Sequence, residues 1–186
     1  MRWVQSVSNT ILRVEKLALI GLTAALALLI LLNIVTRAAG AAIFWVDELA
    51  VYTMIWMAFV GASVMLRMRL GVAVTLVTDL LPGPANRAVM RLVDAVLLLF
   101  AVTLLVLSWQ WYDPVELART GFDFDQFAQN TFKFIYTEPT NTIGIHKAWV
   151  WLAVPLVAVT MTIHALANLI EGPGGAAPGA DALRGL

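Results

Sequence analysis

Four runs of uncharged, mainly apolar residues, each long enough to cross a bilayer as a helix, constrain this chain more than any other feature. The first covers residues 17–36 and is closed by Arg37. Twenty residues at 1.5 Å each span roughly 30 Å, the thickness of a hydrocarbon core. The second covers 49–66 and is closed by Arg67 and Arg69. The third covers 95–112 and begins earlier, near Arg87, because Val89, Met90, Leu92 and Val93 continue its apolar pattern. The fourth covers 148–170, with Pro155 in its first third, where a proline kinks a helix. Only 13% of the 186 residues are charged, about half the share usual in a soluble domain, so the chain cannot cover itself with polar surface and lipid must solvate it. The mean hydropathy of +0.85 says the same.

The expectation is an all-α integral membrane protein with one four-helix domain at 1–172 and spans at about 17–37, 48–66, 88–112 and 148–170. Gly172-Pro173-Gly174-Gly175 should end the last helix, leaving a disordered cytoplasmic tail at 173–186. A cleaved signal peptide competes for the first run, since Arg2 and Arg13 precede it and Ala38, Ala39, Gly40, Ala41 and Ala42 follow. A signal core is about 7–15 residues. This run is longer, which favours a retained span. Residues 70–81 are apolar but too short to cross, and Asp79 and Pro82-Gly83-Pro84 interrupt and stop them. They read as an interfacial segment between the second and third spans, or as a loop folded back on the bundle.

Basic residues orient the chain. With the N-terminus inside, Arg2, Arg13, Lys16, Arg67, Arg69, Arg87, Arg91 and Arg184 lie inside, and Arg37, Arg119, Lys133 and Lys147 outside. That excess places both termini in the cytoplasm. Trp45, Trp109, Trp111, Trp149 and Trp151 then all fall at span ends on the outer side, where indole favours the headgroup level. With Arg67 and Arg69 they are the lipid-headgroup or interfacial candidates.

Enzyme motifs are absent: no zinc-protease, nucleophile-elbow, phosphate-loop or dinucleotide pattern occurs. The chain has no cysteine, and its net charge of zero offers no basic face to nucleic acid. His146 and His164 are eighteen residues apart, about 27 Å along a helix, too far to ligate one haem iron. His164 reads as a packing or interfacial residue and His146 as a surface residue at the start of span four. No catalytic, cofactor-binding or metal-binding residue is expected. Intramembrane charge, the usual mark of an ion pathway, is scarce. Asp94 falls three residues after Arg91, a spacing that predicts a local ion pair. Asn33, deep in span one, predicts a helix–helix hydrogen bond. Such a chain is a poor stand-alone transporter and reads as a partner subunit.

Several stretches carry a resemblance. Trp45-Val46-Asp47-Glu48-Leu49-Ala50-Val51-Tyr52 opens span two, which contains Trp56, Phe59, Gly61 and Ala62. Leu66-Arg67-Met68-Arg69 and the apolar stretch to Leu81-Pro82 follow. Ile143-Gly144-Ile145-His146-Lys147-Ala148-Trp149-Val150-Trp151-Leu152-Ala153-Val154-Pro155-Leu156 leads into span four. In order and spacing over nearly the whole chain this resembles the small membrane subunit (DctQ-like) of tripartite ATP-independent periplasmic (TRAP) transporters. The resemblance implies a bacterial inner-membrane location and two partners besides membrane lipids: a large DctM-like membrane subunit and a periplasmic solute-binding protein. It further implies sodium-driven uptake of an organic acid, with the substrate and sodium sites in the large subunit and this chain enlarging its static scaffold. The competing function is a four-helix membrane scaffold or sensor without a transport role.

Residues 113–147 depart from the family pattern, which joins spans three and four by a shorter loop. Asp113-Pro114-Val115-Glu116 reads as a helix start, with Asp capping and Pro in the first turn, and Gly121 should end that helix. Phe122, Phe124, Phe127, Phe132, Phe134 and Tyr136 follow. Three readings stand: a lid resting on the membrane through its phenylalanines, a docking surface for the binding protein, and a packing element over the bundle. Asp47, Glu48, Trp56 and Gly61 are the partner-interface candidates. The dipole at the start of span two accounts equally well for Asp47 and Glu48. Gly61 suits close helix approach within the chain or to a partner.

Overall fold

The computed structural model describes residues 2–70 and 82–172. The expected interfacial segment at 70–81, apart from Leu70, and the expected tail at 173–186 lie outside these residues. Seven helices are described: α1 (Arg2–Ala38), α2 (Phe44–Met68), α3 (Gly83–Tyr112), α4 (Pro114–Arg119), α5 (Phe124–Thr131), α6 (Lys147–Trp151) and α7 (Ala153–Glu171). Four helical stretches are long and apolar enough to span a membrane. The chain is an all-α membrane protein.

The first helix starts fifteen residues earlier than its apolar run, because Ser8, Leu12 and Glu15 recur at helical spacing and face inward. Leu19 continues that face into the core. At 37 residues α1 is about 55 Å long, more than a hydrocarbon core requires. Pro155 acts as the sequence predicts. Its ring opposes the carbonyl of Trp151 and it lacks an N–H to donate. The hydrogen-bond ladder is accordingly interrupted at Leu152, between α6 and α7, while the backbone there stays helical (φ −56°, ψ −20°).

The last span is the centre of the bundle. It packs on α2 and α3 and touches α1, while α1 rests chiefly on α2. Half of α7's most apolar stretch is buried, against none of α1's. Val60, Leu66, Ala101, Val157, Met161 and Ala165 form the apolar core, with Leu19, Phe59, Leu97, Leu98 and Leu104 against it. Ala153, Ala158, Ala165 and Ala167 let neighbouring backbones approach closely. Lipid tails are as apolar as leucine, so burying leucine against leucine gives little net stabilisation in a bilayer. Close packing and interhelical polar contacts must hold the helices together. This fold concentrates its polar contacts at the two ends.

Between α3 and α6, residues 113–146 form a compact cap. Asp113 accepts a hydrogen bond from the Glu116 N–H, Pro114 takes the first turn, and Gly121 follows at φ +64°. Those are the features read from the sequence. The second short helix, α5, is capped by Asp123, which accepts from the N–H groups of Asp125 and Gln126. Phe127 and Ile135 are the buried apolar side chains inside the cap. Tyr136 donates to the Tyr112 carbonyl (2.8 Å), and Tyr112 donates to the Ala148 carbonyl (2.7 Å). Burial among these rings, with the Asp113 carboxylate adding to it, pushes the Tyr136 phenol above its ordinary pKa.

Candidate functional site

Because α2 and α7 run parallel, their N-termini share one end of the bundle and their C-termini the other. Helix dipoles leave partial positive charge at the first end and partial negative charge at the second. The sequence places carboxylates at the first and arginines at the second.

At the N-terminal end, Glu48 holds the turn that leads into α6. Its carboxylate accepts from the N–H groups of Asn141 (2.7 Å), Thr142 (2.6 Å) and Ile143 (3.0 Å). The hydroxyls of Thr142 and Tyr52 donate to it as well, both at 2.5 Å. Gly144, at φ +79°, closes this turn, and the Thr140 N–H reaches back to the Ile145 carbonyl at 2.7 Å. Beside it Asp47 pairs with Arg37 (2.5 Å) and accepts from Asn33. The helix–helix hydrogen bond expected of Asn33 is present, and it ties α1 to α2.

At the opposite end, Arg67 is 1% exposed. Its two terminal nitrogens bind Glu171 at 2.7 and 2.8 Å, Asn168 at 2.6 Å and Asn9 at 2.8 Å. Arg69 occupies the left-handed C-cap of α2 (φ 53°). Its guanidinium donates to Asp94 (2.9 Å) and to the carbonyls of Asn168 (2.7 Å) and Gly172 (2.9 Å). One arginine thus caps the C-terminus of a neighbouring helix, where positive charge is favoured. Asp94 is 2% exposed and pairs with Arg69, not with Arg91 as its helical spacing predicts. Arg91 points outward. The buried carboxylate takes the cation that the bundle brings inside.

One helical turn further in, His164 is fully buried between Ser8 Oγ (2.7 Å from Nδ1) and Glu15 Oε2 (3.0 Å from Nε2). Ser63 donates to the other Glu15 oxygen (2.7 Å) and lies 3.0 Å from the Thr160 hydroxyl. Serine, histidine and glutamate in contact resemble a hydrolytic arrangement. Here Ser8 has no exposed surface and no path to a substrate. The cluster instead joins α1, α2 and α7. Buried charge is thus more frequent than the apolar runs alone suggest, and it is paired toward the helix ends.

The structure spreads the sequence candidates widely. Asp47 and Glu48 are engaged by this chain's own residues. Trp56 is half-buried. It lies nine residues, two and a half turns, from Asp47, so the two project to opposite faces of α2. A methyl group built on Gly61 would meet Leu19 of α1 at 4.0 Å, so this glycine faces its own bundle. Trp45, Trp109, Trp111 and Trp149 are exposed at the capped end, and Trp151 packs edge-on against Trp111. Arg67, a headgroup candidate in sequence, is enclosed, because Glu171 and two asparagines reach it before lipid can. Arg69 is largely enclosed for the same reason. His146 is exposed beside Phe124, as expected.

Glu15, Ser8, Asn168 and Glu171 carry no motif in the sequence, and Ser63, beside Gly61 and Ala62, reads there only as a small residue for close helix approach. A signal for some of them exists: His164, Asn168 and Glu171 recur at i, i+4 and i+7, a polar stripe on an otherwise apolar helix. A family model described as the DctQ component of tripartite ATP-independent periplasmic transporters matches residues 26–173. No curated protein matches the chain.

Proposed function

The chain belongs to the DctQ-component family of tripartite ATP-independent periplasmic transporters, and from that premise we propose that it is the non-catalytic small permease subunit of a sodium-driven organic-acid importer. In this reading it sits in the bacterial inner membrane with both termini in the cytoplasm. It scaffolds a DctM-like large subunit, which receives substrate from a periplasmic solute-binding protein.

One observation carries the proposal beyond family membership. The charged groups buried in the described bundle find partners within the chain: Arg67 pairs with Glu171, Arg69 pairs with Asp94, and Glu15 is hydrogen-bonded by His164 and Ser63. A pathway for ions or carboxylates needs polar groups open to a passage. These groups are used for holding helices, which suits a static element. The surface left for the large subunit is apolar. It comprises the outward faces of α1 (Leu17, Ile20, Leu28, Leu31) and α3 (Val96, Leu99, Phe100), with Trp56 half open on α2.

Purification of the tagged chain from its native membrane in mild detergent tests this. A much larger hydrophobic subunit should accompany it in fixed ratio, and deleting the chain should abolish uptake of one organic acid while the large subunit still inserts. A chain that purifies alone, with uptake unaffected by its deletion, would overturn the reading.

A further inference from the structure

Among the described residues, the non-glycine positions at positive φ are Arg69, Asp113, Phe122 and Phe132. The first two have a local reason. Arg69 spends its side chain on the end of α7, and Asp113 caps α4 and binds Lys133 (2.7 Å). The phenylalanines close α4 and α5, where the backbone turns left-handed, but nothing in that turn calls for an aromatic side chain. A bulky side chain in the left-handed region is an outlier that glycine or asparagine would relieve. Yet Phe122 is 66% exposed and Phe132 is 82% exposed, so neither ring contributes packing that would offset the strain. Strain kept where folding does not use it marks a group needed by a partner.

The surroundings identify that partner. Phe122 lines an indentation of about 270 Å³ together with Phe124, Trp149 and Leu152. Phe132 and Phe134 line a second with Trp111 and Trp151, rimmed by the charged Lys133, Glu138 and Lys147. Both strained rings therefore adjoin the tryptophans at the ends of α3 and α6, which are the places where spanning helices leave the hydrocarbon. Phe134 and Val115 extend the exposed apolar tips. We propose that Phe122 and Phe132 are membrane-dipping anchors, inserting into the headgroup region of the same leaflet as Trp109, Trp111 and Trp149. They would clamp the 113–146 cap flat against the lipid surface. The loop that departs from the family pattern thereby becomes a monotopic attachment that holds the outer face of the subunit at a set depth.

The absence of cysteine makes the test direct. Single-cysteine variants Phe122→Cys, Phe132→Cys and, as a polar reference on α5, Gln129→Cys are labelled with a fluorophore. Each is reconstituted as the full chain in phosphatidylethanolamine–phosphatidylglycerol vesicles. Lipids carrying a nitroxide near the headgroup should quench the labels at 122 and 132 several-fold more than the label at 129, and aqueous iodide should quench them several-fold less. Equal iodide access at all three positions, with no lipid quenching, would overturn the proposal. So would shielding of 122 and 132 only after a soluble binding protein is added, since the partner would then be protein. Phe122→Gly and Phe132→Gly should leave the thermal midpoint in detergent unchanged or higher. A lower midpoint would make the rings folding elements and would also refute the anchor.

Discussion

Arg67 donates both terminal nitrogens to Glu171 while reaching Asn9 on α1 and Asn168 on α7. A single interhelical hydrogen bond in a membrane protein contributes about 0.6 kcal/mol. Removing one partner of a buried ion pair costs on the order of 3–5 kcal/mol, because the other charge is left without compensation. Arg67→Ala should therefore destabilise the bundle far more than loss of any one hydrogen bond, lowering the thermal midpoint in detergent by several degrees. Arg67→Lys should recover little, since an ammonium cannot reproduce the two-pronged contact. The double change Arg67→Met with Glu171→Met should lie closer to the parent than Arg67→Ala does. If Arg67→Ala melts like the parent, the arginine is not structural. Glu48 works on the backbone instead. Glu48→Gln keeps one acceptor and adds a donor that repels the amides it faces. Hydrogen exchange at Asn141, Thr142 and Ile143 should accelerate while α2 itself stays protected. Unchanged exchange there would mean that the turn holds its own shape.

At the scale of elements, the interrupted ladder at Leu152 and the small residues of α7 are the sensitive features. Pro155→Ala supplies the missing N–H to the Trp151 carbonyl and should fuse α6 with α7. Rotation of α6 would then pull the Ala148 carbonyl from Tyr112 and loosen the cap, visible as faster proteolysis within 113–146. Ala158 is fully buried where α7 meets its neighbours. Ala158→Leu should overfill that contact and cost about 1–3 kcal/mol, read as a lower thermal midpoint, whereas Val159→Leu on the exposed face should be neutral. The four spans, the Asp113 cap and the proline interruption were legible in sequence because each depends on local chemistry: run length, a capping side chain, a missing N–H. The pairing of Arg69 with Asp94 was not, because helical spacing offered Arg91 as a nearer cation, and only the packing of both α2 and α3 on α7 brings Arg69 to this carboxylate. Glu15 was missed for a related reason. It precedes the apolar run, and nothing before folding shows that His164, far along the chain, will lie 3.0 Å away.

For the whole molecule, the polar clusters at its two ends account for a bundle whose middle is smooth. α1 is fixed at its start by Ser8 and Glu15 and at its end by Asn33 and Arg37, and no residue of its most apolar stretch is fully buried by its own chain, although one side of it rests on α2. Such a helix presents a long apolar face to whatever lies beside it. The account holds that the chain moves no solute itself and works through the larger subunit that covers such faces. Reconstituted vesicles with an imposed sodium gradient measure this directly. Vesicles holding this chain with its large subunit, supplied with the binding protein and its organic acid, should accumulate the acid. Vesicles holding this chain alone should show only the leak of empty lipid, and sodium-dependent accumulation by this chain alone would contradict the account.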